Sequence, residues 1–304
     1  LKRVWFSNGI HHHYSNDKLK PGFSSDYLSE LMEATATELI AEAFEVIFND
    51  KDSKKVNKSK DVDNVLLSAV NFYGPDVTSK DVESFYAEVT SPDPTKPLSH
   101  GLNSKLVKED GVLKEIVYKS GGLYGVAIDE IIKWLDLAAG VAENKPQGDA
   151  LRLLIEYYKT GDLQTWDDYN VAWTAATDGN IDYINSFIEV YNDPLAYRGS
   201  YETIVQINDF DMSRKMSVLS ENAQWFEDNS SLMEEHKKDS VVGVTYKTVN
   251  VAGESGDASP STPVGVNLPN ANWIRGSIGS KSVSLGNIIH AYNNSGSSGR
   301  LKEF

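Results

Sequence analysis

Two β-favouring runs flank a hard stop in the stretch Phe187-Ile-Glu-Val-Tyr191-Asn-Asp-Pro-Leu-Ala-Tyr-Arg-Gly-Ser-Tyr-Glu202. Ile188, Val190 and Tyr191 favour extended backbone, and Asp193-Pro194 ends the first strand because proline cannot donate to a ladder. After Arg198-Gly199, a second run extends from Tyr201 to Ile207. The stretch therefore constrains this part of the chain to a strand, a turn and a returning strand. Glu189 and Tyr191 are two residues apart, and on a strand such positions point to one face. A carboxylate beside a phenol can hold an ammonium group and a carbonyl of the same ligand. Polar residues on the open face of a strand carry the same pattern, and the sequence by itself does not separate the two.

Around this unit the chain changes period. Ser25 is a candidate N-cap for a helix from Asp26 to about Phe48, with Leu28, Leu31, Met32, Leu39, Phe44 and Ile47 at helical spacing. Residues 49–62 read as a charged loop, and short helices are expected over 62–72 and 79–88. Ser91-Pro-Asp-Pro-Thr-Lys-Pro97 is kept extended by its prolines. Val112 to Val117 reads as a short strand. Tyr124 to Glu143 is the clearest helix, with Ile128, Ile131, Ile132, Leu135, Ala138 and Ala139 on one face. Gln147 to Thr160 follows, closed by Gly161 as a C′ residue. Leu163 to Thr177 is a third helix that puts Trp166 and Trp173 on one side. From Ile184 the period falls towards two, with strands expected near 185–191, 201–208, 240–251 and 263–268. Met212 to Lys238 returns to a helical pattern, and residues 251–262 read as a flexible loop. Helices first and strands later make an α+β chain.

Composition narrows the partners. The 304 residues suffice for one large or two modest domains, and a hydrophobic fraction of 40% supports a real core. A net charge of −15 argues against a nucleic-acid surface and suits cationic ligands such as peptide amino termini. No run approaches the ~18 apolar residues of a membrane span, and no secretory signal is visible, so no membrane partner and a cytoplasmic location are expected. The absence of cysteine excludes disulfides, thiolate nucleophiles and thiolate metal sites. His11-His12-His13 cannot easily converge on one ion, since neighbours on a strand alternate faces. They are read as structural or cleft-wall residues, and no residue of the chain is assigned as a metal ligand. The glycine pairs near 121 and 276 lack the lysine and the strand–helix context of a phosphate loop. Adjacent carboxylates such as Asp129-Glu130 and Asp167-Asp168 read as solvated helix faces.

Four segments carry a resemblance. Besides Phe187–Glu202, they are Val4-Trp-Phe-Ser-Asn-Gly-Ile-His-His-His-Tyr14, Val266-Asn267-Leu-Pro-Asn270, and Gly279-Ser-Lys-Ser-Val-Ser-Leu-Gly-Asn-Ile288. Their types and order resemble the dipeptidyl peptidase III family of zinc metallopeptidases. The family's zinc motif, a His-Glu pair followed by a second His, is absent, and no His-Glu dipeptide occurs in the chain. The chain is therefore read as the middle of a longer peptidase.

The resemblance implies two lobes separated by a cleft, the lower with a small antiparallel β-barrel-like core. On that basis residues 1–208 hold lower-lobe helices and the first core strands, and 209–249 a helical excursion towards the upper lobe. Residues 250–295 carry the remaining core and the substrate edge strand, and 296–304 the start of a connection upwards. The resemblance further implies that Glu189, Asn267 and Asn270 receive the free amino terminus of a short peptide. Tyr191 would contact the backbone near the scissile bond and stabilise its carbonyl oxygen. Pro269 would keep the edge strand extended while the peptide pairs with it. The function implied is the substrate-binding part of a zinc-dependent exopeptidase that releases dipeptides. Zinc would lie in the parent protein and not in this chain, and the zinc-bearing lobe would be a partner alongside short peptides. The alternative is a non-catalytic peptide-binding module.

Overall fold

The computed structural model describes residues 2–12, 15–39, 41–50, 53–241, 244–259 and 262–294. Short helices come first: α1 (Lys2–Phe6), α2 (Ser25–Ala34), α3 (Ala41–Phe48) and α4 (Ser79–Ala87). The single helix expected over 26–48 is two. Thr35 donates its hydroxyl back to the Leu31 carbonyl at 2.8 Å, Ala36 turns to a φ of 49°, and the Thr37 N–H bonds Met32 O at 2.9 Å. Hydroxyls that compete for backbone groups end helices in this way. The cap is Ser24, one residue before the expected Ser25, and it accepts from the Tyr27 N–H. Over 62–72 the chain makes turns rather than a helix. The Asp63 carboxylate draws in the N–H groups of Val65, Leu66 and Ser79.

A hairpin of β1 (Ser104–Glu109) and β2 (Val112–Val117) follows, closed by Asp110-Gly111 with positive φ at both positions. That is the conformation a two-residue hairpin turn requires. Three longer helices come next: α5 (Gly125–Gly140), α6 (Lys145–Thr160) and α7 (Leu163–Ala175). The face predicted for α5 is the buried one, centred on Ile128, Leu135 and Ala139. Gly161 takes φ 72° beyond α6, where a Cβ would sit 2.4 Å from a Val117 methyl, so only glycine fits that stop. Asp162 then caps α7 by accepting the Thr165 N–H at 2.7 Å. Trp166 and Trp173 are both buried on one side of α7, as their spacing predicts.

The strands are β3 (Ile181–Glu189), β4 (Ser200–Asn208), β5 (Val244–Gly256), β6 (Gly265–Leu268) and β7 (Ser280–Leu285). They form one sheet in the order β3-β4-β5-β7-β6, antiparallel except for the β5–β7 pair. The expectation of an antiparallel barrel-like core is corrected here: the sheet is mixed, and among the described residues no ladder joins edge strands β3 and β6. The sheet nevertheless curls. Lys281 on β7 reaches Asp182 on β3 at 2.9 Å, although β4 and β5 lie between them. Three steps of ~4.8 Å in a flat sheet would hold these side chains too far apart.

Between β4 and β5 the chain forms α8 (Phe210–Glu221), α9 (Ala223–Asp228) and a 3-10 turn over Glu234–His236, none with a buried residue. The loop expected over 251–262 is extended as far as Gly256, because β5 pairs with β4 along that length. Helices α10 (Asn272–Ser277) and α11 (Gly286–Asn294) flank β7. The main core joins α5, α6 and α7 to β3 and β4, with Leu154, Tyr158, Ile184 and Ile204 at its centre. Leu154 is fully buried and Leu137, on the outer face of α5, is 57% exposed. Leu154→Ala is expected to lower the unfolding free energy in urea by about 3 kcal/mol, and Leu137→Ala by less than about 0.5 kcal/mol. Equal losses would contradict this arrangement of the helices.

Candidate functional site

Glu189 stands at the end of β3, where the register with β4 slips from Phe187↔Tyr201 to Glu189↔Ser200. The extra residue, Ile188, makes a bulge, and bulges re-aim the side chains beside them. Asn270, just past edge strand β6, donates to Glu189 Oε1 at 3.3 Å. Two residues 81 apart in sequence thus meet between the two edges of the sheet. Both border a cavity of about 620 Å³ formed by α7, the end of β3, the 98–102 segment and the start of α10. Its walls are largely apolar and aromatic, with Trp166, Tyr169, Trp173 and Ile188 among them.

The electrostatics are unusual for a chain so acidic. Burial raises the Glu189 carboxyl above its ordinary value; the Asn270 donor offsets part of this, and the negative charge of Asp257 adds to it. Glu202 on β4, opposite Ser186 of β3 and Gly256 of β5, is 5% exposed. Burial, with Glu189 and Asp257 as like-charged neighbours, pushes its carboxyl up to about 8. Among the described residues no lysine, arginine or histidine forms an ion pair with Glu189, Glu202 or Asp257. Asp257 receives instead the Asn192 amide, 3.1 Å from each carboxylate oxygen. Glu189, Glu202 and Asp257 thus form a cluster of carboxyl groups with no ion pair among the described residues, a setting that favours a positively charged neighbour.

The predicted residues are only partly brought together. Glu189, Asn270 and Pro269 all line the cavity. Tyr191 does not share a strand face with Glu189, because β3 ends at Glu189 and Tyr191 lies in the following turn, 55% exposed. That turn is closed by the Asp193 N–H on Val190 O at 3.0 Å. Tyr191 still belongs to the same electrostatic field. Burial, the charges of Asp257, Glu202 and Glu189, and a hydrogen bond with Asp257 raise its phenol well above the ordinary value. It is thus a proton donor throughout the physiological range. Asn267 lies exposed on β6, opposite Ser282 of β7, and does not border the cavity. Pro269 follows β6 rather than lying within it, joined to Leu268 by a cis peptide. Edge strand β6 pairs on one side only, with β7.

Sequence reasoning missed Glu202 and Asp257. Glu202 lay inside the most specific stretch of the chain, but its closeness to Glu189 depends on the register of the β3–β4 pair. Asp257 lay inside a segment read as loop. A further anchor, also missed, joins α10 to α7: the Trp273 indole donates to Asp167 Oδ2 at 3.4 Å. Asp167 is 2% exposed, and its burial pushes its carboxyl up to about 6, against the Trp273 donor. Trp273 is also covered by Lys96, 5.2 Å above its ring. The segment that presents Asn270 is therefore fastened from two sides. His11 is buried and borders a separate groove that also contains Asp257; His13 lies outside the described residues. Among the described residues no group of three or more His, Asp or Glu side chains could hold a metal ion, so these residues do not fit a zinc site. No helix among them is long and apolar enough to cross a membrane.

Comparison with known proteins agrees with the fold. The chain is 28% identical to dipeptidyl peptidase 3 of Nematostella vectensis over 171 residues, which is 56% of this chain and 23% of that protein. It is 29% identical to the Dictyostelium discoideum protein of the same name over 182 residues, 60% of this chain and 26% of the other. The solved structure of DPP III from Caldithrix abyssi superposes with a TM-score of 0.62 at 21% identity, covering 89% of this chain and 52% of that one. DPP III from Corallococcus sp. strain EGB gives 0.62 at 19% identity, over 88% and 50%. The chain thus spans about a quarter of the length of these curated relatives and about half of the two solved chains. The model of peptidase family M49 matches residues 18–303, and the chain belongs to that family.

Proposed function

We propose that this chain is the part of a dipeptide-releasing exopeptidase that receives the amino end of a short peptide. The observation that carries the proposal is the desolvated Glu189 beside Asn270, backed by Glu202 and Asp257, with no cation among the described residues paired to any of them. A peptide ammonium would supply the missing positive charge. Charge-assisted hydrogen bonds of that kind are the strong ones, and a dry setting strengthens them further.

In this reading Glu189 and Asn270 hold the ammonium, and Asn267 assists from β6. The protonated Tyr191 hydroxyl donates to the carbonyl oxygen of the bond to be cut, where negative charge develops. The open side of β6 pairs with the peptide backbone, which gives affinity with little demand on sequence. Holding the amino terminus two residues from the bond to be cut is how such a site measures out a dipeptide. Zinc dependence belongs to the same proposal, with the ion and its ligands in the remainder of a longer protein. The chain by itself turns over no peptide. Residues 209–249 would reach towards the metal-bearing lobe.

Titration calorimetry of the chain with a short peptide tests this directly. Glu189→Gln is expected to weaken binding by roughly 10- to 100-fold, the value of a hydrogen bond to a charged group. Acetylating the peptide's amino terminus should have a similar effect on the unaltered chain. If Glu189→Gln leaves the affinity as it was, the ammonium receptor is elsewhere.

The pH behaviour has a definite sign. At pH 7 the Glu202 carboxyl, pushed up to about 8, is mostly protonated in the free chain. An ammonium placed nearby favours the carboxylate, so binding at pH 7 releases protons. Calorimetry in two buffers of different ionisation enthalpy will show this, and proton uptake would contradict it. Without ligand the same group removes stability as pH rises from its unfolded value of about 4.3 towards 8. Glu202→Gln should flatten that part of the stability–pH curve.

A further inference from the structure

The loop between β3 and β4, residues 190–199, carries Tyr191 and Asn192 at its start and puts Ala196 and Tyr197 into the cavity wall. Left to itself, a loop of this length samples many conformations. Two interior groups fix it. The Asp193 carboxylate accepts the N–H groups of Leu195, Tyr197 and Arg198, at 3.1, 2.8 and 2.9 Å, and the Tyr73 hydroxyl at 2.7 Å. Arg198 is fully buried, and its Nη1 donates to Gly101 O, Ser104 Oγ and Glu115 Oε1, at 2.8, 2.6 and 3.1 Å. Its guanidinium carbon lies 5.3 Å from the centre of the Tyr73 ring and 5.1 Å from that of Tyr86.

These contacts lead back to the cavity. Tyr86 stacks on Tyr197 at 4.4 Å with an interplanar angle of 17°, and both rings border the cavity that Glu189 borders. The Tyr86 hydroxyl donates to Glu115, the carboxylate that also receives Arg198. Gly101, with φ 85°, leaves room for this: a Cβ there would stand 2.8 Å from Arg198 Nη1 and 2.7 Å from the Tyr86 hydroxyl. Gly199 lies so close to β3 that a Cβ would meet the Phe187 carbonyl carbon at 2.8 Å and the Ile188 nitrogen at 3.0 Å. The β3 bulge that aims Glu189 therefore packs against the backbone of the residue after Arg198.

We infer that Arg198 is a positioning residue, which sets the aim and dryness of Glu189 by locking the β3–β4 loop to the β1–β2 hairpin and to α4. It touches no ligand itself. Lysine would keep the charge but has no planar guanidinium to lie against Tyr86 and Tyr73 while Nη1 serves three acceptors, although the buried Nε and Nη2 of Arg198 find no partner among the described residues. The inference deepens the proposed function, since it concerns the same carboxylate, but the state of Glu189 can be measured with no peptide present.

The test uses Arg198→Lys and the milder Ser104→Ala, which removes one of the guanidinium's acceptors. In the ligand-free chain the Glu189 carboxyl carbon is titrated by NMR, assigned by its loss in Glu189→Gln. The groups that face Glu189 are Asp257, Glu202 and Tyr191, and neither variant alters them. Expected is a fall of the Glu189 titration towards the ordinary carboxylate range in folded Arg198→Lys, with a smaller fall in Ser104→Ala. Peptide affinity should drop roughly tenfold in parallel, as misplacement of a binding group does. An unchanged Glu189 titration in folded Arg198→Lys overturns the inference, and if that variant does not fold, an unchanged titration in Ser104→Ala does so. If the unaltered chain binds no peptide, the proposed function fails, while the Glu189 titration still decides the role of Arg198.

Discussion

The curl of the sheet depends on one buried contact set. Lys281 of β7 is 5% exposed and bonds Asp182 of β3. Its ammonium lies 4.2 Å from the centre of the Trp173 ring, and the Trp173 indole donates to the other oxygen of Asp182 at 3.0 Å. Burial lowers the Lys281 ammonium below its ordinary value, and Asp182 restores part of the difference. A buried pair of this kind adds little net stability compared with apolar packing, but losing one partner leaves an uncompensated charge. Its effect here is geometric. It draws β7 over β3 and fastens α7 to both, and Trp173 is at the same time a wall of the cavity. The curl, the helix and the cavity therefore share one side chain.

A curled sheet that does not close has two edges near each other, and the cavity opens between them. On one side Glu189 ends β3; on the other, Asn270 follows β6. Ionising Glu189 and Glu202 is costly, because each is buried beside other carboxyl groups. Neutralising them with an internal lysine or arginine would have been possible, as Lys281 and Arg198 demonstrate elsewhere in the chain. Among the described residues no such partner pairs with them, which is what the proposed receptor for an outside cation rests on. This is the physical sense in which the site differs from the rest of an acidic surface, whose carboxylates are solvated.

Much of this was legible in the sequence, for identifiable reasons. The faces of α5 and α7 follow from residue spacing, since one buried side on a helix leaves a period that no other element imitates. Gly161 as a stop is local chemistry and holds, whereas the strand before Asp193-Pro194 ends earlier, at Glu189. The failures lie where a local signal was outweighed or overlooked. Asp110-Gly111 marked a hairpin and would have located β1, the missing partner of β2. The run over 26–48 is apolar enough for one helix, but Thr35 and Thr37 divide it. The parallel β5–β7 pairing, the register that sets Glu202 beside Glu189, and the curl itself are long-range. They arise from contacts such as Lys281 to Asp182, 99 residues apart, which leave no periodic trace. Tyr191 shows the limit of pattern reasoning: its spacing from Glu189 is right for a shared face, but the strand ends two residues too soon.

The residues gathered at the cavity come from distant parts of the chain, and each is fixed by an interior network of its own. Asp193 and Arg198 hold the loop that follows Glu189. Trp273, between Asp167 and Lys96, holds the segment that presents Asn270. Glu202 is held by strand pairing on both sides. A site on separate supports could be misaligned by movement of any one of them; Glu189's strand is anchored in the core that holds Trp166 and Trp173, and the loop after it in a second cluster around Tyr73 and Tyr86. The ordering entropy of the ligand-binding groups is thus spent during folding, before any ligand arrives. The proposed ligand, a short peptide, would bring few contacts and lose much freedom on binding, so a receptor for it would need to be prepared in this way.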